Sequence, residues 1–212
     1  MNLAELRRHY ALESLSETDV RPDPVAQFAF WFEEARNSQL LEPNAMTLAT
    51  AAPDGYPGAR TVLLKGYDHH GFTFFTNYES RKGAELFANP RATLLFTWLE
   101  LQRQIRIEGN VEKISRETSL AYFQSRPREN QIGAWSSPQS RVIAGREVLE
   151  KRELEMEEKF AGLDKLPMPD YWGGYLLRPV AIEFWQGRMS RLHDRILYTQ
   201  TETGWRIERL AP

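Results

Sequence analysis

The sequence predicts a mainly β protein with peripheral helices, built around an antiparallel barrel. Segments with alternating apolar residues, or with short apolar runs, recur between residues 45 and 114 and again near the C-terminus. Turn sequences of a few residues, such as PDG, DHHG and NPR, separate them. Helical patterns interrupt groups of strands and do not follow every strand. This order favours a closed antiparallel barrel over a sheet of βαβ units.

The elements follow one another with recognisable start and stop signals. Asp23 can cap a helix whose first residue is Pro24 and whose apolar residues come from FAFWF. Eight strands are predicted after it: AMTLATAAP, GARTVLLKGY, GFTFFTNY, ATLLFTWLEL, QIRIEGNVEKI, GYLLRPVAIEFWQG, RILYTQ and GWRIERL. Three further helices have these limits: Ser80 to Asn89, Ser115 to Pro127, and Ser137 with Pro138 to Gly162.

Length and composition restrict the class of protein. The 212 residues suffice for one good core, so we divide the chain into a flexible N-terminal segment, residues 1–20, and a single domain, residues 21–212. The 27 Lys and Arg nearly balance the 29 Asp and Glu, which argues against nucleic acid or an anionic membrane as partner. Because no transmembrane run and no signal-peptide core is evident, we predict a cytoplasmic protein.

Several kinds of chemistry have no support in the sequence. The chain has no Cys and only four His, so we predict neither thiolate chemistry nor a metal site. It also has no G-x-G-x-x-G, Walker, H-E-x-x-H or G-x-S-x-G motif. Rossmann, P-loop, zincin and hydrolase functions are therefore not indicated.

Two stretches are predicted to bind anions. Arg81 and Lys82 fall on the first turn of a helix, where the dipole disfavours cations unless an anion is bound. In RLHDR, interpreted as a strand, Arg191, His193 and Arg195 share one face, while Asp194 on the other face is expected to form an ion pair. Each of these two patterns, taken alone, is also compatible with charged side chains that are simply exposed to solvent.

The order of the motifs resembles the pyridoxine (pyridoxamine) 5′-phosphate oxidase family. The motifs are RTVLLKG, FTFFTNYESRKG, RQIRIEG, YFQSRPRENQIGAWSSPQS, YWGGY, IEFWQGRMSRLHDR and WRIERLAP. The resemblance covers nearly the whole chain from Pro22 to Pro212, and RLHDR following FWQG, with SRPR and QIGAW upstream, is highly specific. The resemblance implies an FMN-binding split β-barrel of the antiparallel Greek-key type. It also implies a homodimer with each active site at the subunit interface.

The resemblance further implies a role for each matching residue. The FMN contacts would be Arg60, Lys65, Phe75, Thr76, Arg81, Lys82, Gln104, Gln139, Ser140, Trp185 and Arg195, with Arg81 and Lys82 on the phosphate. The substrate phosphate would contact Tyr122, Arg126 and Asn130, the last standing where the family usually has Ser. The pyridine ring and the reacting carbon would face Lys65 and the catalytic residues Arg191 and His193. Arg7 and Tyr10 would cover the substrate as an active-site lid.

The activity so implied is the oxidation of pyridoxamine 5′-phosphate and pyridoxine 5′-phosphate to pyridoxal 5′-phosphate, with O2 as acceptor and H2O2 as product. His193 would either take a proton from the substrate or orient its ring. Two other functions use the same barrel: a binding module without turnover, and an oxidoreductase that lacks the second phosphate site. The combination of Lys65, Tyr122 and Arg126 with Arg191 and His193 favours the oxidase.

Overall fold

The computed structural model describes residues 12–212, so the predicted lid residues Arg7 and Tyr10 lie outside the described residues. The strands in this range are Ala45–Ala51 (β1), Pro57–Leu63 (β2), Gly66–Asp68 (β3), Gly71–Asn77 (β4), Arg91–Trp98 (β5), Arg103–Lys113 (β6), Trp172–Gln186 (β7), Asp194–Thr201 (β8) and Gly204–Arg209 (β9). The α-helices are Pro24–Asn37 (α1), Arg81–Ala88 (α2), Arg116–Ser125 (α3), Arg128–Ser136 (α4) and Arg146–Lys159 (α5).

All strands belong to one curled antiparallel sheet, as the sequence predicts. Their order is β2-β1-β5-β6-β7-β4-β3, with β8 paired to β7 and β9 to β8. The long strand β7 pairs with β6 along one edge. Along its other edge it pairs first with β4 and, further along the chain, with β8. Since β1 pairs with β5 and β4 with β7, the connections cross over in the Greek-key manner. Among the described residues no ladder joins β2 to β3, so the barrel is split and the expectation of a closed barrel is wrong.

The main core lies between α1 and the concave face of the sheet. Asp23 accepts hydrogen bonds from the backbone N–H groups of Val25 and Ala26, which confirms the predicted cap and directs α1 across the sheet. Phe28 of α1 is fully buried, and its ring centroid lies 4.9 Å from that of Phe72. Aromatic packing of this kind fixes α1 against the strands that carry the candidate site.

A second core cluster lies beside the sheet, under α3, α4 and the start of β7. Its buried members are Phe123, Ile132, Phe160, Leu166, Met168 and Trp172. Gly174 of β7 donates its backbone N–H to Ser119 of α3, which ties the helices to the strand. This cluster supports the wall of the larger cleft described below.

Residues 12–20 pack on the domain through two apolar residues and two ion pairs. Leu15 and Val20 are buried in the main core. The ion pairs join Glu13 to Arg103 and Glu17 to Arg209. The predicted flexibility and lid role of residues 1–20, and the boundary at residue 21, stay predictions.

The helix predictions hold for α2 and α3 and fail after residue 127. Ser80 and Ser115 cap α2 and α3 as expected. The helix predicted from Ser137 is wrong: Ser137 ends α4, which the sequence analysis missed, and α5 begins only at Arg146. Ser140 has a φ of 67°, a left-handed conformation that stops helix propagation in the intervening loop.

The strand interpretation of RLHDR is also wrong at its first half. Ser190 and Arg191 have φ values of 57° and 61°, so the chain makes a left-handed turn within Met189–Arg191 and is not extended there. The strand begins at Asp194. Arg191 therefore does not share a strand face with His193 and Arg195, and period-2 alternation does not apply before residue 194.

Candidate active site

The predicted site residues fall into two separate clefts with no lining residue in common. The larger, the Lys82 cleft, has a volume of about 580 Å³ and contains nine of them: Arg60, Lys65, Phe75, Thr76, Lys82, Tyr122, Arg126, Asn130 and Gln139. The smaller, the His193 cleft, has a volume of about 330 Å³ and contains four: Gln104, Trp185, His193 and Arg195. A single chain therefore does not bring the two groups into one cavity.

The floor of the Lys82 cleft is the N-terminus of α2. The ammonium of Lys82 donates hydrogen bonds to the Oγ1 of Thr76 at 3.1 Å and to the Oε1 of Gln139 at 2.6 Å. No carboxylate pairs with it among residues 12–212. Burial, reinforced by the charge of Arg60, lowers the pKa of Lys82 to about 8. A desolvated cation at a helix N-terminus is an arrangement that favours a bound anion.

Arg60 and Arg81 are held differently, by the buried Glu85 of α2. The carboxylate accepts from Arg60 Nη2 at 2.9 Å and from Arg81 Nε at 2.8 Å. Burial alone would raise the pKa of Glu85, but hydrogen bonds from Thr50 and both arginines lower it. Glu85 is thus an anion that offsets part of the positive charge around the helix N-terminus.

The other wall of the Lys82 cleft is aromatic and carries Arg126. The rings of Phe75 and Tyr122 are stacked with centroids 3.9 Å apart, and Trp172 is stacked on Phe75 at 5.5 Å. The guanidinium of Arg126 lies over Trp172 at 4.9 Å. Its Nη1 is buried without a hydrogen-bond partner, and burial lowers its pKa.

The His193 cleft is organised by Glu183 of β7. Its carboxylate accepts from Arg195 Nε and from Arg106 Nη2, both at 2.6 Å. Burial alone would raise the pKa of Glu183, yet the two arginines lower it. Arg195 also donates through Nη1 to the carbonyl of Ala211, so its guanidinium is fixed at two atoms. Arg81 and Arg195, both in stretches predicted to bind anions, thus already have carboxylate partners in this chain.

His193 is oriented by the turn that precedes it. Its Nδ1 accepts a hydrogen bond from the backbone N–H of Arg188 at 3.1 Å. In the neutral ring the proton must then be on Nε2. Burial, with the charge of Arg191, lowers the pKa of His193, so the neutral form is favoured. As predicted, Asp194 forms an ion pair, here with Arg209 at 2.8 Å.

Three predicted residues line neither cleft: Arg81, Ser140 and Arg191. Arg81 and Arg191 are exposed, and Ser140 lies in the loop after α4. Conversely, the sequence analysis did not assign Trp172, Arg106, Glu183 or Glu85 to the site. Trp172 and Glu183 stand within YWGGY and IEFWQG, so the motifs marked their positions without indicating their contacts.

Sequence comparison gives the family. The profile described as "Pyridoxamine 5'-phosphate oxidase" matches residues 32–159, more than half of the chain. The chain belongs to the pyridoxamine 5′-phosphate oxidase family. It is accordingly an enzyme, an oxidoreductase of that family. A second profile, "Pyridoxine 5'-phosphate oxidase C-terminal dimerisation region", matches residues 172–212 and supports a homodimer.

Individual relatives agree with the family assignment. The pyridoxine/pyridoxamine 5'-phosphate oxidase of Cupriavidus taiwanensis is 61% identical over 211 residues, which is 99% of each chain. The crystal structure of PhzG from Burkholderia lata, in complex with tetrahydrophenazine-1-carboxylic acid, has a TM-score of 0.88 at 29% identity and covers 95% of this chain and 99% of its own. An FMN-binding protein of Nostoc punctiforme has a TM-score of 0.70 at 20% identity, covers 94% of this chain and 99% of its own, and shows the shared fold.

None of the helices among residues 12–212 has the length and apolarity needed to cross a membrane.

Proposed function

We propose that this enzyme binds FMN and oxidises pyridoxine 5′-phosphate and pyridoxamine 5′-phosphate to pyridoxal 5′-phosphate, with O2 as the acceptor and H2O2 as a product. The observation that carries the proposal is the pair of desolvated cations in the Lys82 cleft. Neither Lys82 nor Arg126 has a carboxylate partner in the described part of the chain, and they stand on different walls. Two such cations suit two phosphate groups, one on the cofactor and one on the substrate.

The residues present fit FMN. Lys82, with the backbone N–H groups of the first turn of α2, would hold the phosphate. Gln139 and Thr76 already contact its ammonium and would keep it in place. Phe75 and Arg60 would lie along the isoalloxazine and ribityl groups. The chemistry that bound FMN would supply is acceptance of a hydride from the 4′ carbon of the substrate, with O2 as the final electron acceptor.

The substrate phosphate would bind on the opposite wall, at Arg126, Tyr122 and Asn130. Arg126 supplies the charge, and the hydroxyl of Tyr122 and the amide of Asn130 supply hydrogen bonds. Lys65, at the rim of the same cleft, would contact the pyridine ring. This placement fixes the substrate at one end and leaves the 4′ carbon to be aligned by groups from elsewhere.

Those groups are in the His193 cleft, and we infer that a partner subunit supplies them. Gln104, Trp185 and Arg195 would complete the flavin site, and His193 with the neighbouring Arg191 would cover the substrate ring. A homodimer in which each Lys82 cleft faces the partner's His193 cleft contains two complete sites. The C-terminal dimerisation region includes β7, β8 and the His193 turn, which is consistent with this arrangement.

We propose an orienting role for His193, and its hydrogen-bond pattern supports this role. With Nδ1 occupied by the Arg188 N–H, the neutral ring presents Nε2–H and can donate to an oxygen or nitrogen of the substrate. It cannot accept a proton at Nε2 without a change of tautomer. Of the two roles considered from the sequence, orientation of the substrate is the one that this geometry favours.

The complex of PhzG with tetrahydrophenazine-1-carboxylic acid leads us to a second candidate for this chain, an oxidoreductase that acts on a carboxylated polycyclic substrate. The unpaired Arg126 beside Tyr122 and Asn130 favours a phosphate ester. The test is to add pyridoxine 5′-phosphate, unphosphorylated pyridoxine and a tetrahydrophenazine carboxylate separately to the anaerobic FMN-loaded enzyme. We expect rapid flavin bleaching with the phosphate ester alone, followed by H2O2 release when O2 is admitted. Bleaching that does not require the phosphate, or a protein that fails to retain FMN, would contradict the proposal.

A further inference from the structure

We propose that Trp172 is a positioning residue for the substrate phosphate: its indole face holds Arg126 in place of a carboxylate, so that the N–H edge of the guanidinium stays available to the ligand. This inference rests on the proposed function and adds a specificity residue to it. The argument depends on how a desolvated arginine is held in a cleft that must also receive an anion.

A buried guanidinium needs compensation, because desolvation of a charge costs free energy. The other arginines discussed in the site have acidic partners: Arg60 and Arg81 contact Glu85, and Arg195 contacts Glu183. Arg126 has no such partner in the described residues. A carboxylate at this place would occupy the N–H groups and repel the incoming phosphate.

An aromatic face compensates the charge without using the N–H edge. The Arg126 guanidinium carbon lies 4.9 Å from the Trp172 ring centroid and 5.7 Å from that of Phe123. Cation–π attraction acts perpendicular to the guanidinium plane, whereas phosphate recognition uses the donors within it. Arg126 is half-buried and lines the cleft, and its buried Nη1 has no protein partner, so this arrangement leaves the guanidinium donors uncommitted to any described protein acceptor.

The position of Trp172 is itself well fixed. Trp172 is 7% exposed and begins β7, where it pairs with Asn77 of β4. Its ring is nearly parallel to that of Tyr122, with an interplanar angle of 9°. Trp172 therefore connects the rigid sheet to two predicted phosphate ligands, Tyr122 and Arg126.

The test measures binding to the FMN-loaded enzyme by titration calorimetry, with ligands that cannot be oxidised. The ligands are 4-deoxypyridoxine 5′-phosphate and 4-deoxypyridoxine, which differ only in the phosphate. We expect Trp172→Leu to weaken binding of the phosphorylated ligand by about 5- to 30-fold, the range of a desolvated cation–π contact. Binding of the unphosphorylated ligand should change less than about twofold, and FMN content should stay the same.

Two controls separate this role from packing. Phe160→Leu removes an aromatic ring from the same buried cluster without touching Arg126, and should leave both affinities unchanged. In an Arg126→Met background, Trp172→Leu should have almost no further effect on the phosphorylated ligand. An equal loss in both backgrounds, or an equal loss for both ligands, would overturn the proposal while leaving the oxidase function intact.

Trp172→Phe is a second variant for the same test, to be used if Trp172→Leu does not fold. It keeps an aromatic face with a weaker quadrupole, so we expect a loss of about 2- to 5-fold for the phosphorylated ligand that again disappears without Arg126. Full wild-type affinity in Trp172→Phe, or a loss that persists in the Arg126→Met background, would overturn the inference. Failure of the wild-type enzyme to oxidise pyridoxine 5′-phosphate would instead contradict the proposed function.

Discussion

Lys82 shows how burial can make a cofactor site depend on pH. Its pKa of about 8 lies within the working range of an assay. Below pH 8 the side chain is charged and, in the proposed site, would attract the FMN phosphate; above pH 8 the charge is lost. Between pH 7 and pH 9 the protonated fraction falls from about nine tenths to about one tenth, so FMN affinity should fall by up to about tenfold.

Fluorescence titration of FMN into the apoenzyme at a series of pH values measures this dependence. In Lys82→Gln the affinity should be lower at pH 7 and nearly constant up to pH 9. A wild-type affinity that does not change over this range would show that Lys82 does not contact the phosphate.

His193 gives a second prediction at the scale of the residue. Because its pKa is lowered, the ring is neutral at pH 7 and gains a proton only as the pH falls. Protonation of Nδ1 removes the acceptor for the Arg188 N–H, so kcat/KM should decrease on the acidic side only. His193→Gln keeps a donor near the position of Nε2 but cannot titrate. We expect it to lose the acidic decrease and to retain activity within about tenfold of wild type, against a loss of about 10- to 100-fold for His193→Ala.

The alternative role for His193 makes the opposite prediction. If the imidazole takes the proton of the substrate, His193→Gln should be as inactive as His193→Ala. Steady-state rates of the two variants between pH 5 and pH 9, at saturating FMN, distinguish the two roles.

At the scale of the element, the position of the first turn of α2 depends on one glycine, Gly83. A Cβ on Gly83 would lie 2.1 Å from the carbonyl oxygen of Tyr78, so only glycine lets the first turn of α2 approach β4 so closely. Gly83→Ala should move the helix N-terminus away from Thr76 and Gln139. We expect a loss of about 1–3 kcal/mol in the free energy of unfolding, together with weaker FMN binding.

Gly133→Ala is the matched control, because a Cβ at this helical glycine of α4 meets nothing within 4 Å. It should stabilise the protein by about 0.4–1 kcal/mol and leave FMN affinity unchanged. Thermal unfolding of both apoproteins and FMN titration check the pair. Equal behaviour of the two alanine variants would mean that the close contact of α2 is not required.

The elements also show what the sequence can predict. Caps with a side-chain acceptor and a following apolar pattern, at Asp23, Ser80 and Ser115, gave correct helix starts. Ser137 with Pro138 has the same signature, but the left-handed Ser140 and the Gln139–Lys82 contact hold the chain in a loop. Tertiary contacts override the local signal there, and they also explain why Trp172 and Glu183 were missed: their roles depend on partners distant in sequence.

At the scale of the whole molecule, the proposed shared site makes activity depend on association. If each site takes one cleft from each subunit, a monomer contains no complete site. We expect a dimer by analytical ultracentrifugation. On dilution below the dimer dissociation constant, specific activity and FMN affinity should decrease together.

A concentration series of the holoenzyme, with the assay completed before reassociation, tests this dependence. A monomeric species that retains FMN and full turnover would contradict the shared site. The predicted cytoplasmic location is not addressed by this experiment and stays a prediction.

The separation of the two clefts has a genetic consequence. Consider one inactive allele altered at Arg126 and a second altered at His193. In a mixed dimer, one site receives both lesions, whereas the other combines an unaltered Lys82 cleft with an unaltered His193 cleft. Cells that express both alleles should therefore recover part of the activity, although neither protein works alone. Two alleles altered in the same cleft should show no such complementation, so crosses between alleles can assign a residue to its cleft without a structure of the complex.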